Sequence, residues 1–232
     1  MNNLLSATHL LDYNSDAIKN LVSFRGWDEL DNYMKIKSIY DFVKDEIKFG
    51  YNKSDYTTSS NVLMDGYGQC NTKSILFMSL LRAVNIECRI HGFTIHKQLQ
   101  KGAITGIWYK LAPKEIIHSW VEIFYDNQWL NIEGFILDDT YLRSLQQRFN
   151  ASEEAFKGYG VATDNFKNPE VNWCGKSTYI QKEGICMDYG IFDTPDEFFK
   201  KYEQKLNPLK KFVFIYITRH IMNRNVQNIR FQ

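Results

Sequence analysis

Cysteine and proline are both scarce in this chain, four of each in 232 residues. Cys70, Cys88, Cys174 and Cys186 are too sparse for a disulfide framework and show none of the close paired spacings of a zinc site. Reduced thiols are expected, with no metal and no cofactor, and no Asp-rich loop of the EF-hand type argues for calcium. An excess of one charge is also missing. The 28 Lys and Arg nearly cancel 27 Asp and Glu, so no global field points to nucleic acid or to a strongly acidic partner. Long apolar runs are absent too. No window approaches membrane-spanning length free of charge, and the opening MNNLLSATHLLDYNSD lacks a basic head followed by a sustained apolar run. The expectation is a soluble, cytoplasmic chain without integral membrane association.

What is present suits one globular domain, or a core with a sizeable appendage: 44% of the residues are apolar and 24% charged. The first half reads as helical. Asn14 or Ser15 can cap a short helix to about Phe24, apolar residues recur at helical spacing from Glu29 to Phe49, and a third short helix starts near Ser59 and ends before Asp65. Cys70 to Val84 reads as an amphipathic helix with a buried stripe of Ile75, Phe77, Met78, Leu80, Leu81 and Val84, stopped by a left-handed Asn85. The period then changes. Ile86–Ile95, Ile117–Tyr125 and Trp129–Phe135 are rich in β-branched and aromatic residues and read as strands. Helices followed by strands give an α+β fold. From about Asp138 onward Gly, Asn and Asp interrupt most runs, so loops with short elements are expected there.

The stretch DGYGQCNTKSILFMSLLRAVNIECR sets Cys70 between a glycine-rich turn and that helix. In a first helical turn, unpaired N–H groups and the positive end of the dipole favour an anion. Such placement commonly lowers a cysteine pKa from about 8.5 to roughly 3.5 to 7.5 and makes the sulfur nucleophilic. Gly66 and Gly68 let the backbone turn sharply and leave room for a substrate carbonyl. A lone free cysteine is more often a small buried hydrophobe, so the argument turns on a partner.

IHSWVEIFYDNQWLNIEGF supplies one. It reads as a hairpin about an Asp126-Asn127 turn, a register that pairs Val121 with Ile132 and Ile123 with Leu130 on one apolar face. The same register sets Trp120 opposite Glu133, Glu122 opposite Asn131 and His118 opposite Phe135. His118 and Glu133 become diagonal neighbours roughly 7 to 8 Å apart at the backbone, a gap a carboxylate can span to an imidazole. Asn131 competes as the group that orients His118, but lies farther away. Cys70, His118 and Glu133 then follow the logic of a Cys-His-acid triad: the acid fixes the tautomer, and the imidazolium keeps the thiol ionised.

Together GYGQCNTKSILFMSLLRAVNIECRIHGF and HSWVEIFYDNQWLNIEG resemble the core of the transglutaminase-like superfamily: a glycine-rich turn, a Cys that opens a helix, a leucine-rich run ending in Arg-Ala, then His-x-Trp-x-Glu and an acid after a Trp. THLLDYNSDAIKNLV and IYDFVKDEIKFG resemble the helical lead-in of bacterial members, so the likeness covers roughly Thr8 to Phe135. The resemblance implies a papain-like α+β core in which a nucleophile-bearing helix packs on an antiparallel sheet. It implies Cys70 as nucleophile, His118 as base and acid, and Glu133 where family members more often carry Asp. The Cys70 backbone N–H is the first candidate for an oxyanion donor, with Tyr67 and Gln69 as helpers. Trp120 and Asn131 are further candidates for contact with substrate.

The superfamily contains cross-linking transferases, peptidases, amidases and members that have lost activity, so the fold leaves the reaction open. One expectation is thiol-dependent acyl transfer on a carboxamide or peptide bond, with a peptide, a protein or a small amide as substrate. The other is a binding module with little turnover. Residues 1–137 are expected to form the core and 138–232 a loop-rich extension packed on it as one domain. Within the extension Tyr159, Trp173, Tyr179, Met187, Tyr189 and Phe192 either line a cleft or pack the back of the sheet. The tail carries six Lys or Arg between Lys205 and Arg230 and no acid after Glu203. It is expected to dock on its own domain through Phe212, Phe214, Ile215, Ile217 and Ile221 rather than on an anionic membrane.

Overall fold

The computed structural model describes residues 3–204 and 207–231. Its first helix, α1 (Asp16–Arg25), begins after Ser15, where the capping signal places it. α2 (Asn32–Asp41) is much shorter than the periodic run from Glu29 to Phe49. Leu30 is extended, and Asp31 caps the helix by accepting from the Met34 N–H at 2.9 Å. At the far end Phe42–Glu46 widens into a π turn. Lys48–Phe49 then forms β1, which pairs in parallel with β2 (Tyr67–Gly68). Tertiary pairing overrides helical periodicity there. α3 (Ser59–Asp65) and α4 (Cys70–Ala83) follow the sequence signals, and Asn85 takes φ 61° beyond α4.

α4 differs in one respect from the expected amphipathic helix: every residue from Cys70 to Arg82 is buried. Its long polar side chains are satisfied inside the protein. Lys73 Nζ donates to the carbonyls of Lys44 and Ile136, each at 3.1 Å, and Arg82 donates to the carbonyls of Ser6, Cys88 and Asp193. Burial drives the Lys73 pKa down to about 7, although Asp138 and Asp45 oppose the shift. A central helix wrapped on all sides is a rigid mount for whatever stands at its first residue.

One face of a four-stranded sheet packs on α4. The strands β3 (Cys88–His96), β4 (Glu115–Tyr125) and β5 (Gln128–Ile132) are antiparallel neighbours, and the short α5 (Gly106–Leu111) lies in the β3–β4 connection. Asp126 and Asn127 adopt φ 49° and 59°, the doubly positive geometry of a two-residue hairpin turn. The register is Val121 with Ile132, Glu122 with Asn131 and Ile123 with Leu130. The expected pairing stops there. β5 ends at Ile132, Glu133 leaves the strand at φ −128° and ψ −25°, and Gly134–Ile136 forms a 3-10 turn. Trp120 therefore does not pair with Glu133, nor His118 with Phe135.

Residues after Asp138 hold longer elements than their glycines and turn residues suggest. They form α6 (Asp139–Arg148), the small hairpin of β6 (Phe156–Gly158) and β7 (Val161–Thr163), then β8 (Ile185–Phe192), which completes the sheet in the order β5-β4-β3-β8. α7 (Pro195–Lys201), α8 (Pro208–Val213), a π turn at Phe214–Thr218 and α9 (Arg219–Arg230) end the described chain. Most of the singled-out aromatics pack: Trp173 is buried against Tyr33 and Tyr125, Tyr159 meets Phe149, and Tyr189 and Phe192 meet Tyr202. Met187 is exposed. The tail docks by different residues from those expected. Met222, Val226 and Ile229 of α9 are buried, whereas Phe212, Ile217 and Ile221 are exposed and Phe214 and Ile215 are half-buried. Lys205, counted with the basic tail, lies outside the described residues.

The tail is fastened at its far end by charge. Arg230 grips Asp138 with Nη2 to Oδ2 at 2.7 Å and Nε to Oδ1 at 3.1 Å, and its Nη2 also donates to the Phe49 carbonyl. Asp138 caps α6 through the Tyr141 N–H and accepts from the Phe49 N–H of β1. Both side chains are buried, so removal of one partner strands a charge in the interior. Arg230→Met is expected to cost about 3 to 5 kcal/mol in urea unfolding, and Arg230→Met with Asp138→Asn distinctly less than the sum of the single changes. A single-variant cost within error of zero would show that the tail is held by its apolar face alone.

Candidate active site

Two side chains set the framework of the site, and neither is among the expected catalytic residues. Asn71, which follows Cys70 in the first turn of α4, donates from Nδ2 to the Ile117 carbonyl at 3.1 Å and accepts at Oδ1 from the Ser119 hydroxyl at 2.9 Å. It thereby grips β4 on both sides of His118 and fixes the start of α4 against that strand. The second is Thr178, beyond the end of β5. Its carbonyl accepts from the Glu133 N–H at 3.0 Å, and its hydroxyl accepts from the Glu133 and Gly134 N–H groups at 3.3 and 3.1 Å. Gly134 permits the turn there, since a Cβ would stand 2.6 Å from the Tyr40 hydroxyl and 2.8 Å from the Val171 Cα.

The turn carries Glu133 to His118. Glu133 Oε1 lies 2.7 Å from His118 Nε2, and Oε2 accepts from the N–H groups of Ile180 and Gln181, each at 2.9 Å. Both side chains are fully buried. The other imidazole nitrogen, Nδ1, is buried and has no hydrogen-bond partner among the described residues. Burial works against a charged imidazole, but the sulfur of Cys70 first and the Glu133 carboxylate next outweigh it, and the His118 pKa is pushed up to about 10. Both neighbours thus favour the charged form of the ring over the neutral one. Cys70 itself is only 8% exposed, so an incoming molecule meets a narrow approach to the sulfur.

The remaining expected site residues are placed as follows. Tyr67 Oη accepts from Arg219 of α9 at 3.4 Å, which commits that hydroxyl to the tail. Gln69 is a clamp: its Oε1 accepts from the Asn52 N–H at 2.8 Å and its Nε2 donates to Asp55 Oδ1 at 3.0 Å. The Cys70 N–H remains outside the helical ladder, which opens with Lys73 N–H to the Gln69 carbonyl at 2.9 Å. Gly68 makes room for the protein rather than for substrate, since a Cβ there would meet Thr72 Oγ1 at 2.7 Å. Asn131 stands opposite Glu122 and donates to Tyr179 Oη at 2.9 Å, with no hydrogen bond to His118. Trp120 shares the face of β4 with His118, packs on Phe93 and Tyr179, and buries an indole N–H with no partner among the described residues.

Sequence reasoning missed Asn71, Thr178 and Asp55. An amide directly after the cysteine was a signal for Asn71, whereas nothing in the text around Thr178 marks it. Asp55 bonds Gln69 and lies within reach of Asn71 and the His118 charge; burial raises its pKa against those three influences. Gln204 accepts from the Ile117 N–H at 3.0 Å and so covers the stretch of β4 that β5 leaves unpaired. Among the described residues no group of three His, Cys, Asp or Glu side chains converges as a metal site requires.

Residues 26–134 match the family model of the transglutaminase-like superfamily. That range begins after the lead-in stretch Thr8–Val22. No curated protein matches the chain. A solved structure from Cytophaga hutchinsonii, described as a candidate cysteine protease, is similar with a TM-score of 0.43 and 10% identity, over 84% of this chain and 47% of that one. The chain therefore spans about half the length of that structure. Cys70, His118 and Glu133 all fall inside residues 26–134, the segment of this chain that is similar to the transglutaminase-like superfamily.

Proposed function

We propose that the chain is a thiol-dependent acyl-transfer enzyme acting on a carboxamide or peptide bond, with Cys70 as nucleophile, His118 as acid and base, and Glu133 as the acid that orients and charges the imidazole. The observation that carries this reading is the buried His118 ring, fixed through Nε2 by Glu133 and raised in pKa by Cys70. In the first step the Cys70 sulfur attacks the carbonyl carbon, the C–N bond breaks, and ammonia or an amine leaves with the proton from His118 Nδ1. The product is a thioester. Water or a second amine then gives a proton back to His118 and attacks the thioester, which releases the acid or the new amide. The Cys70 N–H at the start of α4 and the unpartnered Trp120 indole N–H are the donors offered to the developing oxyanion and the substrate.

Residues 138–232 act in this reading as an extension packed on the 1–137 core into one domain. Support comes from β8 in the shared sheet and from the Ile180 and Gln181 N–H groups on Glu133. The near-burial of Cys70 is what favours the second reading, a binding module with little turnover. Ammonia release from a panel of glutamine-bearing peptides and simple amides, with and without an added primary amine, separates hydrolysis, transamidation and inactivity.

Alkylation with iodoacetamide at pH 6 and mass mapping should label Cys70 ahead of Cys174 and Cys186, which are exposed but lack an imidazole partner, and ahead of Cys88, which is fully buried. Equal labelling of Cys70, Cys174 and Cys186 would remove the catalytic reading. Asn71→Leu cuts the tie to β4 and should lower that labelling and any turnover about a hundredfold, the scale of a small misplacement of reacting groups.

The His118 titration gives a second test. Its pKa rises from 6.5 to about 10 on folding, so the stability contributed by the imidazolium is fully present below pH 6.5 and lost as pH rises through 10. Nitrogen-15 histidine NMR should show His118 charged across neutral pH. Cys70→Ala should lower the pKa most, because the sulfur is its largest support, and Glu133→Gln next. The Gln amide would also turn an NH2 toward either the imidazole N–H or the Ile180 and Gln181 N–H groups, a donor-to-donor conflict. Asn131→Ala should change neither the titration nor the labelling. An unshifted His118 in Glu133→Gln would make Glu133 a bystander.

A further inference from the structure

We infer that the surface built from α5 and α8 docks the protein on an anionic lipid bilayer. Both helices are short and neither buries a single residue, yet both carry large apolar side chains. Ile107 and Leu111 of α5 are 60% and 54% exposed, and Leu209 and Phe212 of α8 are 72% and 57% exposed. Tyr216, one turn beyond, packs its ring on Phe212 at 4.7 Å and is itself exposed. Burial in the core explains none of these residues, and the cleft lined by Leu111 of α5 and Lys210 of α8 brings the two helices side by side.

Lysines surround these side chains. A cleft of about 460 Å³ joins the two helices, and Lys97, Lys110, Lys114 and Lys210 line it. Lys97 is partly engaged, since its Nζ reaches the Tyr109 carbonyl at 3.4 Å. Lys110, Lys114, Lys210 and Lys211 are exposed and, among the described residues, form no ion pair with an acid. Apolar tips among unneutralised cations complement the headgroup region of an anionic leaflet, where the tips enter the acyl boundary and the ammonium groups meet phosphate and carboxylate. A face-to-face second copy is disfavoured because it sets lysine against lysine. The surface adjoins the site: β4 begins at Glu115, directly after Lys114, and Gln204, which leads into α8, bonds the Ile117 N–H beside His118. The inference stands apart from the reading of Cys70.

Cosedimentation of the purified chain with vesicles of phosphatidylcholine, and of phosphatidylcholine mixed with phosphatidylserine, tests it. Binding to the mixed vesicles only, weakened by salt, is the expected result. Lys110→Ala with Lys210→Ala should weaken it about 25-fold, from roughly fivefold per lysine. Leu209→Ser with Phe212→Ser should weaken it as well, with an unchanged circular dichroism spectrum in both variants. Absence of vesicle binding, equal binding to both vesicles, or binding indifferent to both variants would overturn the inference. So would full competition by glycerophosphoserine or inorganic phosphate, which would make the cleft a site for a free anion, and so would a concentration-dependent dimer that buries the patch.

Discussion

The fully buried carboxylate of Glu133 is the constraint around which the site is arranged. A buried carboxylate is tolerated only when donors surround it, and here one oxygen meets His118 Nε2 while the other takes the Ile180 and Gln181 N–H groups. Those donors come from two parts of the chain more than forty residues apart in sequence. The carboxylate therefore does two jobs. It holds the imidazole at Nε2, and it anchors the 178–181 segment to the end of β5. Loss of either set of donors strands buried polar atoms, so the seating of residues 178–181 and the placement of His118 are linked through one side chain.

The sulfur is brought to the ring by a different device. α4 is buried from Cys70 to Arg82, so the direction of its axis is fixed by packing, and Asn71 sets its rotation and height by bonding the residues before and after His118. A cysteine at the first position of such a helix keeps its N–H outside the helical ladder. Rigidity and an unused donor thus arise from the same placement. Gln69 and Thr72 extend the mount outward: Asn52 receives a bond from Thr72 and gives one to Gln69, which ties the 52–55 loop to the helix start.

The sequence made much of this legible because the signals were local. Asn85 and the Asp126-Asn127 turn hold the left-handed conformations that their side chains suggest, and the hairpin register follows from alternation of apolar residues. The pair of His118 and Glu133 was legible for a partly mistaken reason. Apolar alternation carries the strand through Phe135 and makes the two residues diagonal neighbours, whereas β5 stops at Ile132 and a turn held by Thr178 brings the carboxylate in. Long-range partners leave no periodic trace, which is why nothing in the sequence marks Thr178 or the Ile180 and Gln181 amides. Helical spacing from Glu29 to Phe49 misled for the same reason: nothing local shows that Lys48 and Phe49 pair with β2.

This geometry gives a physical account of glutamate at a position where the resemblance leads one to expect aspartate. The backbone at residue 133 is not free to approach His118, because its N–H is held by Thr178 and Gly134 is wedged between Tyr40 and Val171. The arm must span the distance from that fixed point. An aspartate carboxyl would sit about one carbon–carbon bond, roughly 1.5 Å, nearer the backbone, which turns hydrogen bonds of 2.7 and 2.9 Å into contacts too long to count as bonds. The shorter acid would satisfy either the imidazole or the two amides, and the unsatisfied set would remain buried. Glu133 and the anchoring of residues 178–181 thus require one another, and a change to the acid's length demands a compensating shift of the Thr178 turn.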